Sequence, residues 1–293
     1  MTERRGRALL GWMNGSDLRQ AFVSSATTDP PDYERFKAMW RAAQARAGRL
    51  APIGAFNPAD VHQLPTSLTS KIDAIKNSEL FRLHYDHFTP PAQFASVTLS
   101  DLVAPQWWAD ADRVTELAAQ VPSQGDDDAL FDFCFPTGRL ERPAVIGSLG
   151  NVIEFIGRRR DIGITSPLRI EDYQPDKIRF GFDIASRPNY MFIALLGMQR
   201  LILLNGVHHA CALIRAGHSR AFCLLKGVLD FSELELPFND PGIFKQGRLG
   251  APRPPLISDY FAPAIGDDVS VQALNQRVRV LLNYELSAVP EIR

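Results

Sequence analysis

The chain has 293 residues, of which 45% are hydrophobic and 22% charged, and its formal net charge is −1 at pH 7. That length suits one large domain or two smaller ones with a substantial core. The near-neutral charge excludes a generally basic surface of the kind that coats duplex DNA, because such binding neutralises many phosphates. One local basic pocket is still compatible with this composition.

Cysteine content and the lack of a long apolar run point to a cytoplasmic protein. Cys134, Cys211 and Cys223 are too few and too scattered for a disulfide framework, so we expect reduced thiols. The segment 1–12 is basic but lacks the apolar stretch of a signal peptide. The most apolar stretch, 191–204, is shorter than the roughly 18–20 residues that a membrane span needs. We therefore expect a cytoplasmic protein that does not enter a membrane.

Residues 1–96 are expected to form an N-terminal arm and a helical accessory region. Residues 1–31 are polar and end in a Pro-Pro pair, which predicts a loose arm. Asp32 stands just before an apolar pattern of helical spacing that stops at Gly48, which predicts one helix. Apolar and polar residues alternate over 81–87, and that period predicts a strand.

Residues 97–228 are expected to form the core of the protein. Its first elements are a strand at 97–102 and a helix at 112–121, followed by an acidic loop at 126–128. Apolar residues at helical spacing then predict a helix over 145–160.

The second half of this core has the sharpest pattern. Clean alternation predicts a strand at 178–184. Two apolar runs, at 190–196 and 200–204, flank a short turn with a glycine and predict a tight hairpin. A helix at 207–217 and a final apolar strand at 221–228 follow.

Residues 229–293 are expected to wrap around the core as an irregular, proline-rich segment, with one more strand at 277–282. We find no internal repeat and no heptad pattern in the chain. The prolines that break this segment are Pro237, Pro241, Pro252, Pro254, Pro255 and Pro263.

The most informative stretch is the junction between the hairpin and the helix, Leu204-Asn205-Gly206-Val207-His208-His209. Gly206 lets the backbone come close to a ligand because it has no side chain. The first N–H groups of the following helix have no partner within the helix, and the positive end of the helix dipole lies at the same point. Such a helix N-terminus binds anions, most often phosphate.

At this junction the sequence resembles the ParB/sulfiredoxin superfamily. The second motif of that family reads roughly Gly-x-[Arg/His]-Arg-x-x-Ala-x-x-x-Ala-Gly, and residues 206–217 read Gly-Val-His-His-Ala-Cys-Ala-Leu-Ile-Arg-Ala-Gly. The preceding elements also follow the family order, in which a helix leads through a glycine, here Gly163, to a Pro-containing strand start, here Ser166-Pro167-Leu168. The resemblance covers residues 145–226, less than a third of the chain.

The resemblance implies an α/β (α+β) fold with a ParB/sulfiredoxin-like mixed sheet and a nucleotide pocket. It implies that ATP or CTP binds with its phosphates on this helix N-terminus, but it does not imply a single reaction. Our first hypothesis is a Mg²⁺- and nucleotide-dependent enzyme, a phosphotransferase or NTPase. A carboxylate elsewhere in the chain would then hold the metal. His208 is expected to contact phosphate or shuttle a proton in catalysis. The expected nucleotide contacts are Asn205, Gly206, Val207, His208 and His209.

Three departures from the family pattern support a different interpretation. Val207 stands where sulfiredoxins have their cysteine, which excludes sulfinic acid reduction at this position. His209 stands where ParB-like members usually carry a permanently charged arginine. Asn205 replaces an acid found in some members. The alternative is therefore a non-catalytic regulatory or interaction protein with a degenerate pocket. DNA binding is disfavoured, because prolines rather than a helix-turn-helix follow residue 228.

Five other clusters have a possible chemical role, but a structural explanation is preferred for each. His84, Asp86 and His87 lack an evident third and fourth metal ligand. The charged runs Arg158–Arg160 and Asp126–Asp128 suggest phosphate or Mg²⁺ binding, yet such runs are usually solvated faces or loops.

The remaining two clusters are aromatic or turn-forming. Trp107-Trp108 could stack a base, but core packing is the better explanation. The segment 188–190 could line the pocket of Asn205, although an ordinary turn is preferred. We expect His218 in a surface loop.

Overall fold

The chain divides into two compact units, each built from two separate stretches of sequence. The first unit comprises residues 1–137 and 189–273, and the second comprises 138–188 and 274–293. The computed structural model describes residues 3–19, 33–57, 61–137, 188–197, 199–234, 236, 238, 242–263 and 265–272, together with the strands β5 to β10 and β15 given below.

The architecture is mixed α+β. The helices are α1 (Tyr33–Ala47), α2 (Thr69–Lys76), α3 (Glu79–Tyr85), α4 (Ala111–Ala118), α5 (Asp127–Cys134), α6 (Val207–Arg215) and α7 (Gln246–Leu249). Short 3₁₀ helices lie at Leu10–Trp12, Thr66–Leu68, Leu99–Asp101, Phe231–Leu234 and Ile257–Phe261. The strands are β1 (Glu3–Ala8), β2 (Gln93–Thr98), β3 (Leu102–Val103), β4 (Trp108–Asp110), β5 (Ala144–Leu149), β6 (Val152–Gly157), β7 (Gly163–Ile164), β8 (Arg169–Gln174), β9 (Lys177–Gly181), β10 (Ile184–Ala185), β11 (Phe192–Leu196), β12 (Arg200–Asn205), β13 (Arg220–Val228), β14 (Asp267–Gln272) and β15 (Gln276–Leu281).

A five-stranded sheet in the order β2-β13-β11-β12-β3 forms the centre of the first unit. β11 and β12 form the predicted antiparallel hairpin, and β13 returns parallel to β11. A parallel pair needs a crossover connection, which α6 provides. Ala210, Cys211 and Leu213 of α6 are completely buried, so this helix is part of the core.

The N-terminal segment belongs to the core, so the predicted loose arm at 1–31 is wrong for its described part. β1 is the central strand of a three-stranded sheet between β14 and β4. Leu9, Leu10, Trp12 and Met13 follow it and are buried. Their burial outweighs the polar character of the surrounding sequence, because each large apolar side chain removed from water stabilises the fold.

Several sequence predictions are confirmed. α1 and α4 lie where helical spacing predicts them, although Asp32 is outside the described residues. The hairpin, α6 and β13 match their predicted places within one or two residues. β9 and β15 confirm the predicted strands near 178 and 277. A strand near 97 is also present, but β2 starts and ends earlier than predicted.

The predicted helix over 145–160 is wrong. β5 and β6 form an antiparallel pair there, and β15 pairs with the other edge of β6. All but Leu149 of the apolar residues that match helical spacing are β-branched valines and isoleucines, which favour strands. The second unit also contains the pairs β8–β9 and β7–β10. Arg158–Arg160 and Ser166-Pro167-Leu168 lie outside the described residues.

Two further local predictions are wrong. The segment 81–87 is not a strand but includes most of α3, whose N-cap Ser78 accepts a hydrogen bond from the Phe81 N–H. Phe81 and Tyr85 lie four residues apart on one buried face of that helix. The acidic run at 126–128 is a helix start: Asp126 caps α5 by accepting from the Ala129 N–H at 2.9 Å.

The compact units differ from the segments 1–96, 97–228 and 229–293 expected from the sequence. Residues on both sides of positions 96 and 228 share the first unit. Among the described helices, none combines the length and the apolar character that crossing a bilayer would require.

The burial of the N-terminal segment can be tested with two leucines. Leu9 is completely buried, whereas the side chain of Leu229 is 85% exposed. We expect Leu9→Ala to lower the free energy of unfolding by about 2–5 kcal/mol, since it leaves a cavity in the core. The matched Leu229→Ala change should alter it by less than about 0.5 kcal/mol. Denaturant titration measures both, and equal small effects would show that the segment is not part of the core.

Candidate functional site

The predicted site lies where β12 turns into α6, and Gly206 sets the geometry of that turn. Gly206 is the N-cap of α6 and has a φ of 99°, in the left-handed region that favours glycine. A Cβ added there would lie 3.0 Å from Cγ and 3.3 Å from Cα of Met191. The Met191 side chain, itself completely buried, therefore occupies the space beside the turn.

The two residues that flank His208 point into the protein. Val207 and His209 are both buried. The ring of His209 meets that of Phe133 edge-on, with 5.2 Å between centroids. Because both side chains of α6 pack against the protein interior, neither is exposed to a ligand at the surface.

His208 is engaged by a backbone donor. Its Nε2 accepts a hydrogen bond from the Asp110 N–H at 3.2 Å, so Nε2 carries no proton and the imidazole is neutral. Burial lowers the pKa of His208 to about 4; the Asp110 carboxylate opposes that shift, and the Arg113 and Arg4 guanidiniums add to it. In this state Nδ1 carries the proton, so Nε2 cannot donate a hydrogen bond to phosphate.

Asp110 is a residue of this site that the sequence analysis missed. It is almost completely buried, and its Oδ2 pairs with Nη1 of Arg4 at 3.0 Å. Its Oδ1 caps α4 by accepting from the Arg113 N–H at 3.0 Å. The signal available was an aspartate two residues before the predicted helix at 112–121, because an aspartate close to a helix start is typical of an N-cap.

The side chain of Asn205 connects the turn to the segment 188–190 by a hydrogen bond. Its Nδ2 donates to the backbone carbonyl of Tyr190 at 3.0 Å. The Tyr190 ring is buried and stacks against Tyr85, with 5.8 Å between centroids. The structure thus brings the segment 188–190 beside Asn205, and its aromatic side chain belongs to the core.

The remaining sequence candidates have structural roles where they are described. Trp107 is buried, and the indole N–H of Trp108 donates to Val269, as expected for core packing. Asp127 and Asp128 pair with Arg220 and Lys71. The His218 ring contacts the Pro122 carbonyl at 3.0 Å.

The other groups able to support metal or thiol chemistry are scattered or buried. Within the described residues, no group of three or more His, Cys, Asp or Glu side chains is arranged to hold a metal ion, and this includes His84, Asp86 and His87. All three cysteines are reduced and buried, and burial raises the pKa of each thiol. A cavity does occur in the first unit, but it lies beside residues 53–57 and the β11–β12 turn rather than at Gly206.

Comparison with known proteins adds no family assignment. No protein-family model, no curated protein and no solved structure matches this chain.

The contact between Met191 and Gly206 can be tested with two glycine substitutions. Gly125 also has a positive φ, of 90°, but nothing lies within 4 Å of its added Cβ. Gly125→Ala should therefore report backbone strain alone, about 1 kcal/mol. Gly206→Ala should destabilise the protein by a further 1–3 kcal/mol or so, because the added methyl group overpacks against Met191. If the two variants lose the same free energy of unfolding, the space beside Gly206 is open and Met191 does not restrict it.

The state of His208 predicts a specific pH dependence. Because its folded pKa lies below the ordinary value of 6.5, its contribution to stability is present above pH 6.5 and is lost as pH falls towards about 4. Relative to His208→Gln, whose amide oxygen can accept from the Asp110 N–H without titrating, the unaltered protein should lose up to about 3 kcal/mol across this window.

Denaturant titrations at several pH values measure this difference, and His87 supplies the control. His87 is exposed, so His87→Gln should keep the full pH dependence of the unaltered protein. An unchanged pH dependence in His208→Gln would contradict an imidazole that stays neutral in the folded protein.

Proposed function

We propose that this protein is a binding or regulatory protein that retains a ParB/sulfiredoxin-like core without its nucleotide chemistry. One observation carries the proposal: Nε2 of His208 already accepts a hydrogen bond from the Asp110 N–H, beside a turn where the buried Met191 packs against Gly206. A phosphate group that took a hydrogen bond from Nε2 of His208 would have to break that bond.

The departures at Asn205, Val207 and His209 agree with this proposal. They remove the acid, the thiol and the permanent cation that chemistry at this turn would use. His209 packs on Phe133 instead of meeting a ligand. A cytoplasmic location fits the same proposal, because the reduced cysteines are typical of that compartment.

A second candidate, an ATP- or CTP-dependent phosphotransferase or NTPase, has one observation in its favour. The N-cap of α6 is Gly206, which supplies no side-chain hydrogen bond to the first amides of the helix. In this alternative Met191 moves aside and those amides, with Val207, His208 and His209, receive the phosphates of a Mg²⁺-bound nucleotide.

Thermal unfolding with ATP, CTP and GTP, each with Mg²⁺ at millimolar concentration, separates the two candidates. A ligand at 100 times its Kd stabilises the folded state by about 2.7 kcal/mol, a shift that is easily seen. We expect no change in Tm, because Nε2 of His208 already has its partner and neither an acid nor an arginine stands at positions 205 and 209. A nucleotide-dependent rise that His208→Ala removes and His87→Ala preserves would overturn our proposal in favour of the enzyme.

A further inference from the structure

A cavity of about 250 Å³ lies in the first unit, away from the α6 turn. Its walls come from the segment 53–57, from Ser100 and Asp101 at the end of a 3₁₀ helix, from residues 199–201 at the β11–β12 turn, and from Leu256. Pockets for drug-sized ligands measure about 300–1,000 Å³, so this one suits a smaller molecule and is too small for a nucleoside triphosphate.

Two opposite charges line this cavity without pairing with each other. Asp101 supplies a carboxylate, and its Oδ1 accepts a hydrogen bond from the Ser100 hydroxyl at 3.1 Å. Arg200 supplies a guanidinium on another wall. In the part of the chain that the structure describes, no ion pair within 4.0 Å joins Asp101 to Arg200, so each charge can serve a group of opposite sign.

The Arg200 guanidinium is held in place by the segment that forms the cavity wall. Its Nη1 donates to the Gly54 carbonyl at 2.8 Å and to the Gln199 carbonyl at 3.0 Å. Its Nε is buried and has no hydrogen-bond partner among the described residues. Both carbonyls are bound through Nη1, so Nη2 keeps N–H donors that a carboxylate in the cavity can use.

We propose that this cavity binds a small zwitterion, an α-amino acid with a short aliphatic side chain. Its carboxylate would face Arg200 and its ammonium group would face Asp101. Ile53, Leu201 and Leu256 supply apolar surface for the aliphatic side chain. The inference rests on the proposed function, because it gives a binding protein its ligand class, but it uses a different site from the Gly206 turn.

L-valine is the probe, and two analogues test the need for both charges. Isovalerate lacks the ammonium group, and isobutylamine lacks the carboxylate. We expect L-valine to bind and to raise the Tm, and each analogue to bind at least about tenfold more weakly, because each loses one charge-assisted contact. Calorimetric titration measures the three affinities.

Two variants locate the ligand. Asp101→Asn removes the negative charge with little change of shape and should weaken L-valine binding at least about tenfold. Gly54→Leu adds a side chain at the cavity wall, where nothing lies within 4 Å of the new Cβ, and should also weaken binding. Gly247 is equally open but does not line the cavity, so Gly247→Leu is the matched control and should bind L-valine normally.

The outcomes distinguish this inference from the proposed function. Absence of L-valine binding at millimolar concentration, equal binding of isovalerate, or unchanged affinity in Asp101→Asn or Gly54→Leu would overturn the amino-acid site alone. A nucleotide-dependent rise in Tm that His208→Ala removes would overturn the proposed function, whatever the result with L-valine.

Discussion

The hydrogen bond between the Asp110 N–H and the His208 ring connects parts of the chain that are far apart in sequence. Asp110 pairs with Arg4 of β1 and caps α4, while its N–H holds α6 through His208. One buried aspartate therefore fixes the relative positions of a strand and two helices. Buried polar groups of this kind need all their partners, because the low dielectric makes each missing hydrogen bond expensive.

That arrangement explains why a motif with the residues of a phosphate site need not act as one. A helix N-terminus attracts anions only when its first amides can be reached. Here the chain uses the same turn to seat α6 on the sheet, with Met191 against Gly206 and Val207 directed inward. The motif keeps its glycine because the left-handed turn and the close approach of Met191 both require it.

The central part of the fold could be predicted from the sequence, because its patterns are local. The hairpin at 190–204 has two apolar runs around a short turn, and α6 begins at Gly206 and has Gly217 just beyond its end. The helix proposed for 145–160 fails for a physical reason: valine and isoleucine at spacings of three and four residues satisfy a helix pattern and a strand pair equally well. In the sequence, Gly150-Asn151 separates the segments that form β5 and β6. A Gly-Asn pair between two such segments is typical of a hairpin and favours the strand pair over the helix.

The candidate site shows a different limit of sequence reasoning. The pattern located the turn at Gly206 and the helix that follows it, because both follow from neighbouring residues. Neither Met191 nor Asp110 could be placed beside it, since they lie 15 and 98 residues from Gly206 and His208 along the chain. The opposite charges of Asp101 and Arg200 escaped notice for the same reason, because only the folded sheet brings β3 alongside β12.

The position of β1 has a consequence for how the protein is made. In the register with β14, Gly6 lies opposite Val269, so this central strand must wait for a partner that is synthesised about 260 residues later. Contacts of such wide sequence separation form slowly. During translation β1 therefore lacks its β14 partner until the last part of the first unit has emerged, and chaperones have that interval in which to bind it.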